Sequence, residues 1–320
     1  MRTSLHHLSD SRRHDLTLIL RHIQDVFKNT RASGKVFGLG RKLRRAADLA
    51  DPQMIVLYGA HARRKVNGHL TNPINNNGQY IPDYELLVIL EHCKLARRLE
   101  VWETILERYR IDPQTSQGIK LSFLTKSHAQ VNHQLKLGSF FFYDIKRQGI
   151  VLHRVEDFKL ARCRSLDPLM RQSAARCAFR WWSRSACDSL KAFELFADRR
   201  RYRRAAFELH QAAEFLYTGV LMVFTGHQFR SHNLRLLERR VSNLDPALFG
   251  LLGKAIKDKP CRFFGLLNAA YIQGRYNCAF SVTRCDLDEL AKRVRQLQQV
   301  TKRICRERIK SYTPVIVKDR

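Results

Sequence analysis

The sequence predicts an α+β protein in two parts: a mixed sheet with helices over residues 10–155, then an antiparallel all-α bundle over residues 168–311. Three observations predict it. Strand-length apolar runs at residues 54–58 and 86–90 sit among helical periods in the first half. From residue 168 the period of three and four residues dominates. At 320 residues the chain is also long for a single core.

The first helix follows from Leu16, Ile19, Leu20, Ile23, Val26 and Phe27, spaced for one helical face. A basic connector at residues 41–45 leads to the first strand, Met54 through Tyr58, and a turn at Gly59. The Asn- and Gly-rich stretch at residues 67–82 holds no regular element and reads as a long functional loop or an insertion. The second strand follows, then a helix with Leu95, Leu99, Trp102 and Leu106 inward. Ile119, Leu121 and Phe123 alternate as a third strand. His128 to Leu137 reads as a helix ended by Gly138. The aromatic run Phe140-Phe141-Phe142-Tyr143 and the segment Gly149-Ile150-Val151-Leu152 read as a terminal hairpin or edge strands.

The bundle begins with a helix over residues 169–196. The next, over 203–224, buries Ala206, Leu209, Ala213, Leu216, Val220 and Val223 and stops at Thr225-Gly226. Short helices follow Ser231-His232-Asn233 and run through Phe263, Leu266, Leu267 and Ala270. The last is expected to be capped by Asp286 with Glu289 three residues on. Its inward stripe is Leu287, Leu290, Val294, Leu297, Thr301 and Ile304.

Composition narrows the function classes. No apolar run reaches membrane-spanning length, and the polar first 14 residues do not form a signal peptide. Eight scattered cysteines without a Cys-x-x-Cys pair argue against a zinc site or a disulfide framework, and fit reduced thiols in a cytoplasmic protein. A net charge of +29 fits contact with polyanions; an arginine-rich surface without that purpose is the plain alternative.

Two constellations carry chemistry. The turn Gly59-Ala60-His61-Ala62-Arg63 leads from a strand towards a helix, where backbone N–H groups suit phosphate. Asp83 and Glu85 stand at the start of the second strand. Residues i and i+2 share a face, so both carboxylates can converge on one metal-sized space. The plain alternative is a strand edge with two solvated acids. The joint pattern resembles the minimal nucleotidyltransferases of the polymerase-beta superfamily, whose motif reads Gly-Ser-x-Ala-Arg-Gly and later Ser-Asp-x-Asp-Leu-Leu-Val. Gly59, Ala62 and Arg63 match the first part; Asp83, Leu86, Leu87 and Val88 match the second.

That resemblance implies that Gly59, Ala60 and Arg63 bind the nucleotide, and that Asp83 and Glu85 are catalytic and hold Mg²⁺. The donor would be a nucleoside triphosphate, with ATP expected. The chain departs from the pattern in several places. Ala60 replaces Ser, Arg64 replaces the second Gly, and Glu85 replaces Asp. The third strand offers Lys120 and Ser122 where the family often has a further acid. Weakened nucleotidyl transfer to a hydroxyl acceptor and a non-catalytic binding module both stay open. An aminoglycoside nucleotidyltransferase would need an acidic pocket, which the charge disfavours.

In the bundle, His210 and Glu214 stand one helical turn apart with Gln211 beside them. Ser231-His232-Asn233 and Tyr271 through Arg275-Tyr276 add polar groups, which a structural hydrogen-bond network would also explain. Residues 171–310 resemble the HEPN domain of the type found in sacsin and fused behind a nucleotidyltransferase. The resemblance implies nucleotide or RNA binding, with His210, Glu214 and Arg275 as binding residues. It also brings a homo-oligomer formed through the bundle among the expected partners. Arg204 and His210 satisfy the Arg-to-His spacing of HEPN ribonucleases, as do Arg147 and His153 elsewhere. In so arginine-rich a chain such pairs arise by chance.

Overall fold

Leu16, Ile19, Ile23, Val26 and Phe27 form the buried stripe of helix α1 (Asp10–Ser33). This computed structural model describes residues 1–33, 51–63, 82–91, 99–115, 119–163, 167–253 and 261–312. The basic connector at 41–45, Arg64, the Asn-rich loop up to residue 81, Leu95 and the Leu99 side chain lie outside the described residues. The chain divides into two compact units, Met1–Ser165 and Leu166–Arg320.

The first unit holds a four-stranded mixed sheet of order β3-β2-β1-β4. Its strands are β1 (Met54–Tyr58), β2 (Tyr84–Leu90), β3 (Leu121–Ser127) and β4 (Ile150–Arg154). β1 runs antiparallel to β2 and to β4, while β2 and β3 are parallel. A parallel pair needs a crossover, and helix α2 (Leu99–Ile111) lies in it.

Both central strands are buried throughout, which is why they read as continuous apolar runs. Strand periodicity divides the faces. Tyr84, Leu86, Val88 and Leu90 join Ile55 and Leu57 in the core shared with α1 and with Val101, Trp102 and Ile105 of α2. Helices α3 (His128–Lys136) and α4 (Phe140–Gln148) complete the unit. Tyr58 meets Phe141 of α4 edge-on at 5.8 Å. Gly149 after α4 comes so close to Val56 and the Ile145 carbonyl that no side chain fits there.

The aromatic run is therefore a helix, not an edge strand. Its buried members Phe141, Phe142 and Ile145 follow one helical face, and that spacing prevails over the strand preference of aromatic side chains. Gly138, with φ of 74°, ends α3 as its position predicts. Ile150 to Leu152 do form a strand.

The second unit is an antiparallel helical bundle: α5 (Pro168–Asp198), α6 (Tyr202–Thr225), α7 (Leu234–Ser242), α8 (Arg262–Tyr276) and α9 (Arg284–Lys310). α6 is the central helix, packed against α5, α7, α8 and α9. All six residues expected on its buried stripe are buried, as are all six on α9. Gly226, left-handed at φ 67°, closes α6. Trp182 of α5 packs on Phe215, with its Cβ close over Gly219. Trp181 is 68% exposed.

The cap of α9 falls one turn earlier than the sequence pattern indicates. Thr283 is the N-cap; its side chain accepts from Asp286 N, and the Asp286 carboxylate accepts from Thr283 N at 3.1 Å. Asp286 is thus the reciprocating member of the capping box. Glu289 instead pairs with Arg293 at 2.8 Å.

Candidate functional site

In the first unit, antiparallel pairing decides what meets. Tyr58, the last residue of β1, lies opposite Glu85 near the start of β2. The Gly59 turn and the two acids therefore share one end of the sheet. Beyond Tyr58 the chain makes a short 3-10 turn over Ala60–Ala62 and returns to extended backbone at Arg63. Gly59 adopts φ 75° and ψ −147°, a region disfavoured for side-chain-bearing residues. A Cβ there would overlap the Glu85 carboxylate.

Asp83 and Glu85 are 3% and 6% exposed, so they are not two solvated acids on a strand edge. The intervening Tyr84 points to the other face, where its hydroxyl donates to Asp15 Oδ2 of α1 at 2.9 Å. Burial first, then the Asp15 charge, pushes the Tyr84 hydroxyl far above the ordinary tyrosine range. Ser122 of β3 lies beside Glu85 in register, so the position where a further acid is expected carries a hydroxyl.

The turn is tied on three sides. His7 donates to the His61 carbonyl at 2.9 Å, and the Arg2 guanidinium donates to the Ala62 carbonyl. His61 Nε2 donates to the Pro82 carbonyl at 2.9 Å, joining the turn to the residue before Asp83. The His61 ring also packs 4.6 Å from Tyr84. Burial lowers the His61 pKa to about 4, so the ring is neutral near pH 7. The turn uses the N–H groups of Ala62 and Arg63 internally.

Two buried carboxylates, Asp83 just before β2 and Glu85 within it beside the Gly59 turn, are a donor set of the kind Mg²⁺ takes, with water and phosphate completing its shell. Among the described residues there is no cluster of three or more metal-ligating side chains.

In the second unit, His210 and Glu214 of α6 do form a network, and it extends further. His210 is wholly buried, and its Nδ1 donates to the Leu267 carbonyl of α8 at 3.0 Å. Its Nε2 lies 3.4 Å from Glu214 Oε2. Glu214 also accepts from His232 Nδ1 at 3.0 Å. Burial pushes the Glu214 carboxyl up, but the two imidazoles outweigh it and hold the group below its ordinary range.

His232 lies flat on Tyr271, ring centres 4.1 Å apart at 13°. The Arg275 guanidinium lies 4.1 Å from the centre of the same ring, and its Nε donates to the Tyr271 carbonyl at 2.7 Å. It also sits 5.0 Å from the exposed Tyr276 ring. The position of His232 follows from local capping. Asn233 caps α7, and Asn268 of α8 accepts from Leu234 N at 2.8 Å.

His210 is an internal strut rather than a surface contact. The exposed members of the group are His232, Arg275 and Tyr276. His232 and Tyr271 are legible in the sequence as polar residues but not as a stacked pair, since they come from separate elements. The Arg204–His210 pair does not present a cleavage centre: Arg204 pairs with Glu208 at 3.1 Å, and His210 is buried.

The family model of the HEPN domain matches residues 179–304. The helical unit is a HEPN domain, and the match leaves the mixed sheet of the first unit outside it. A comparison with curated proteins finds no match. No helix among the described residues is long and apolar enough to cross a membrane.

Proposed function

We propose that the protein binds a nucleotide on its HEPN unit, at the surface formed by His232, Arg275 and Tyr276. One observation carries this reading: a half-buried Glu214 orients His232 against Tyr271, and the same ring carries the Arg275 guanidinium. Arg275 spends only its Nε on the backbone, so its terminal nitrogens make no hydrogen bond among the described residues. A guanidinium fork with two open nitrogens matches a phosphate, and Tyr276 offers a face for a base. Titrating the full chain with a fluorescent adenine mononucleotide tests the reading. Arg275→Ala should weaken binding by about tenfold, the worth of one charge-assisted contact. Unchanged affinity in Arg275→Ala and Tyr276→Ala would overturn it.

The contact between Gly59 and Glu85 favours a second reading for the first unit, Mg²⁺-dependent nucleotidyl transfer from ATP to a hydroxyl acceptor. Asp83 and Glu85 would hold the metal, the Gly59–Ala60 backbone would receive phosphate, and Arg63 would neutralise it. When bound, the ion would stabilise charge on the leaving pyrophosphate. Ser122 beside Glu85 weakens this reading, because a serine hydroxyl is a poor base for an attacking hydroxyl. Incubation with labelled ATP and Mg²⁺ decides it: label transfer must appear in the native chain and vanish in Asp83→Ala.

A further inference from the structure

A second surface of the bundle has no part in that site. Helices α5 and α9 border an open groove of about 830 Å³. Arg176, Arg180, Arg184 and Lys191 line it from α5, and Arg306 and Lys310 from α9. None of these six cations has a hydrogen-bonded or ion-paired side-chain partner among the described residues. Elsewhere on the same helices, arginines are paired: Arg295 with Glu194 and Arg303 with Glu307. Phe179 and Ile309 supply apolar lining.

The spacing is that of a track. Arg176, Arg180 and Arg184 recur every four residues, about 6 Å apart along the helix axis, and Arg176 to Lys191 spans about 22 Å. That length exceeds a single mononucleotide and suits a strand. Trp181, three residues before Arg184 and 68% exposed, stands at the border of the cationic face. Cations that follow a backbone, with an aromatic face beside them, are how proteins hold single-stranded nucleic acid.

One residue breaks the pattern. Asp188, between Arg184 and Lys191 on α5, is the only acid lining the groove among the described residues. A carboxylate repels phosphate but accepts a hydrogen bond from a hydroxyl. The ribose 2′-hydroxyl is the donor that RNA has and DNA lacks.

We propose that the α5–α9 groove holds single-stranded RNA, with the six cations on its phosphates and Asp188 accepting from a ribose 2′-hydroxyl. This surface shares no residue with the nucleotide site, so the two proposals stand or fall separately.

Fluorescence anisotropy of the full chain with a labelled oligouridine, over a series of salt concentrations, tests it. Arg180→Glu with Arg184→Glu should weaken binding by at least about tenfold and flatten the log–log salt dependence by about 1.4, from ~0.7 per lost phosphate contact. The equal charge change Arg199→Glu with Arg200→Glu, at an exposed corner outside the groove, should have little effect. Oligodeoxyuridine should bind more weakly than oligouridine, and Asp188→Ala should narrow that difference. Helix content and Tm of each variant establish that it folds. Equal losses from both arginine pairs, or no loss from the groove pair, would overturn the site. Equal RNA and DNA affinity in the native chain would overturn RNA as its occupant. A dimer in sedimentation that the groove pair dissociates would assign the surface to a second copy of the chain instead. Loss of mononucleotide binding in Arg275→Ala with RNA binding intact separates this outcome from that of the nucleotide site.

Discussion

The Glu85 carboxylate occupies the space that a side chain at Gly59 would need, so turn and strand are fitted to each other across the sheet end. Gly59→Ala should destabilise the first unit by about 2 kcal/mol or more, combining steric overlap with a left-handed φ. Glu85→Asp, a methylene shorter, relieves the overlap but not the dihedral strain. The double variant should therefore be more stable than the sum of the two singles implies, by denaturant unfolding. A neutral Gly59→Ala would show that the turn tolerates a side chain.

His61 gives the first unit a pH dependence of defined sign. Its folded pKa of about 4 lies below the usual 6.5, so between these values the unfolded chain binds more protons. Stability should be full above pH 6.5 and fall as pH drops towards 4, by about 3 kcal/mol at most. Urea midpoints of native chain and His61→Gln across this range measure it; parallel curves would refute the assignment.

Glu238 acts in the opposite direction in the HEPN unit. Burial raises its pKa to about 7, against the hydrogen bonds from Gly250 N and the Tyr217 hydroxyl. Its contribution is fully present below pH 4.5 and lost as pH rises through 7. Glu238→Gln keeps an acceptor for both bonds without the charge. It should raise the unfolding midpoint at pH 8 and leave it nearly unchanged at pH 5.

The register of the α9 cap predicts unequal costs for two substitutions. Thr283→Ala should lose about 1 kcal/mol, since it removes the acceptor for Asp286 N. Glu289→Ala should lose less than about 0.5 kcal/mol, because it breaks only a half-buried i,i+4 pair within one helix. Reversal of that order in thermal unfolding would restore the Asp286-capped register.

Periodicity made most elements legible. The stripes of α1, α6 and α9 and the runs of β1 and β2 each repeat a pattern that burial alone produces. Phe140 to Ile145 misled because aromatic side chains favour strands locally, whereas the helix is set by which of them reach the core. The site was legible where its parts are neighbours in sequence: Gly59 to Arg63, Asp83 with Glu85, His210 with Glu214. Tyr84 with Asp15, His61 with Pro82 and His232 with Tyr271 pair across many residues, and no local pattern announces them. The α5 arginines are visible as an i,i+4 series, but only the packing of α9 supplies Arg306 and Lys310 to make a groove.

The anchoring of Tyr84 separates two tasks along β2 by the parity of residue number. Even positions 84, 86, 88 and 90 belong to the core with α1, and Tyr84 is pinned there by Asp15. Asp83 and Glu85 occupy odd positions. The strand can therefore exchange its acids, acquiring or losing a chemistry, while the alternate residues go on specifying where the strand lies. On this view, putting aspartate at position 85 is a change of tool on a fixed handle, and Asp15 and Tyr84 are the handle.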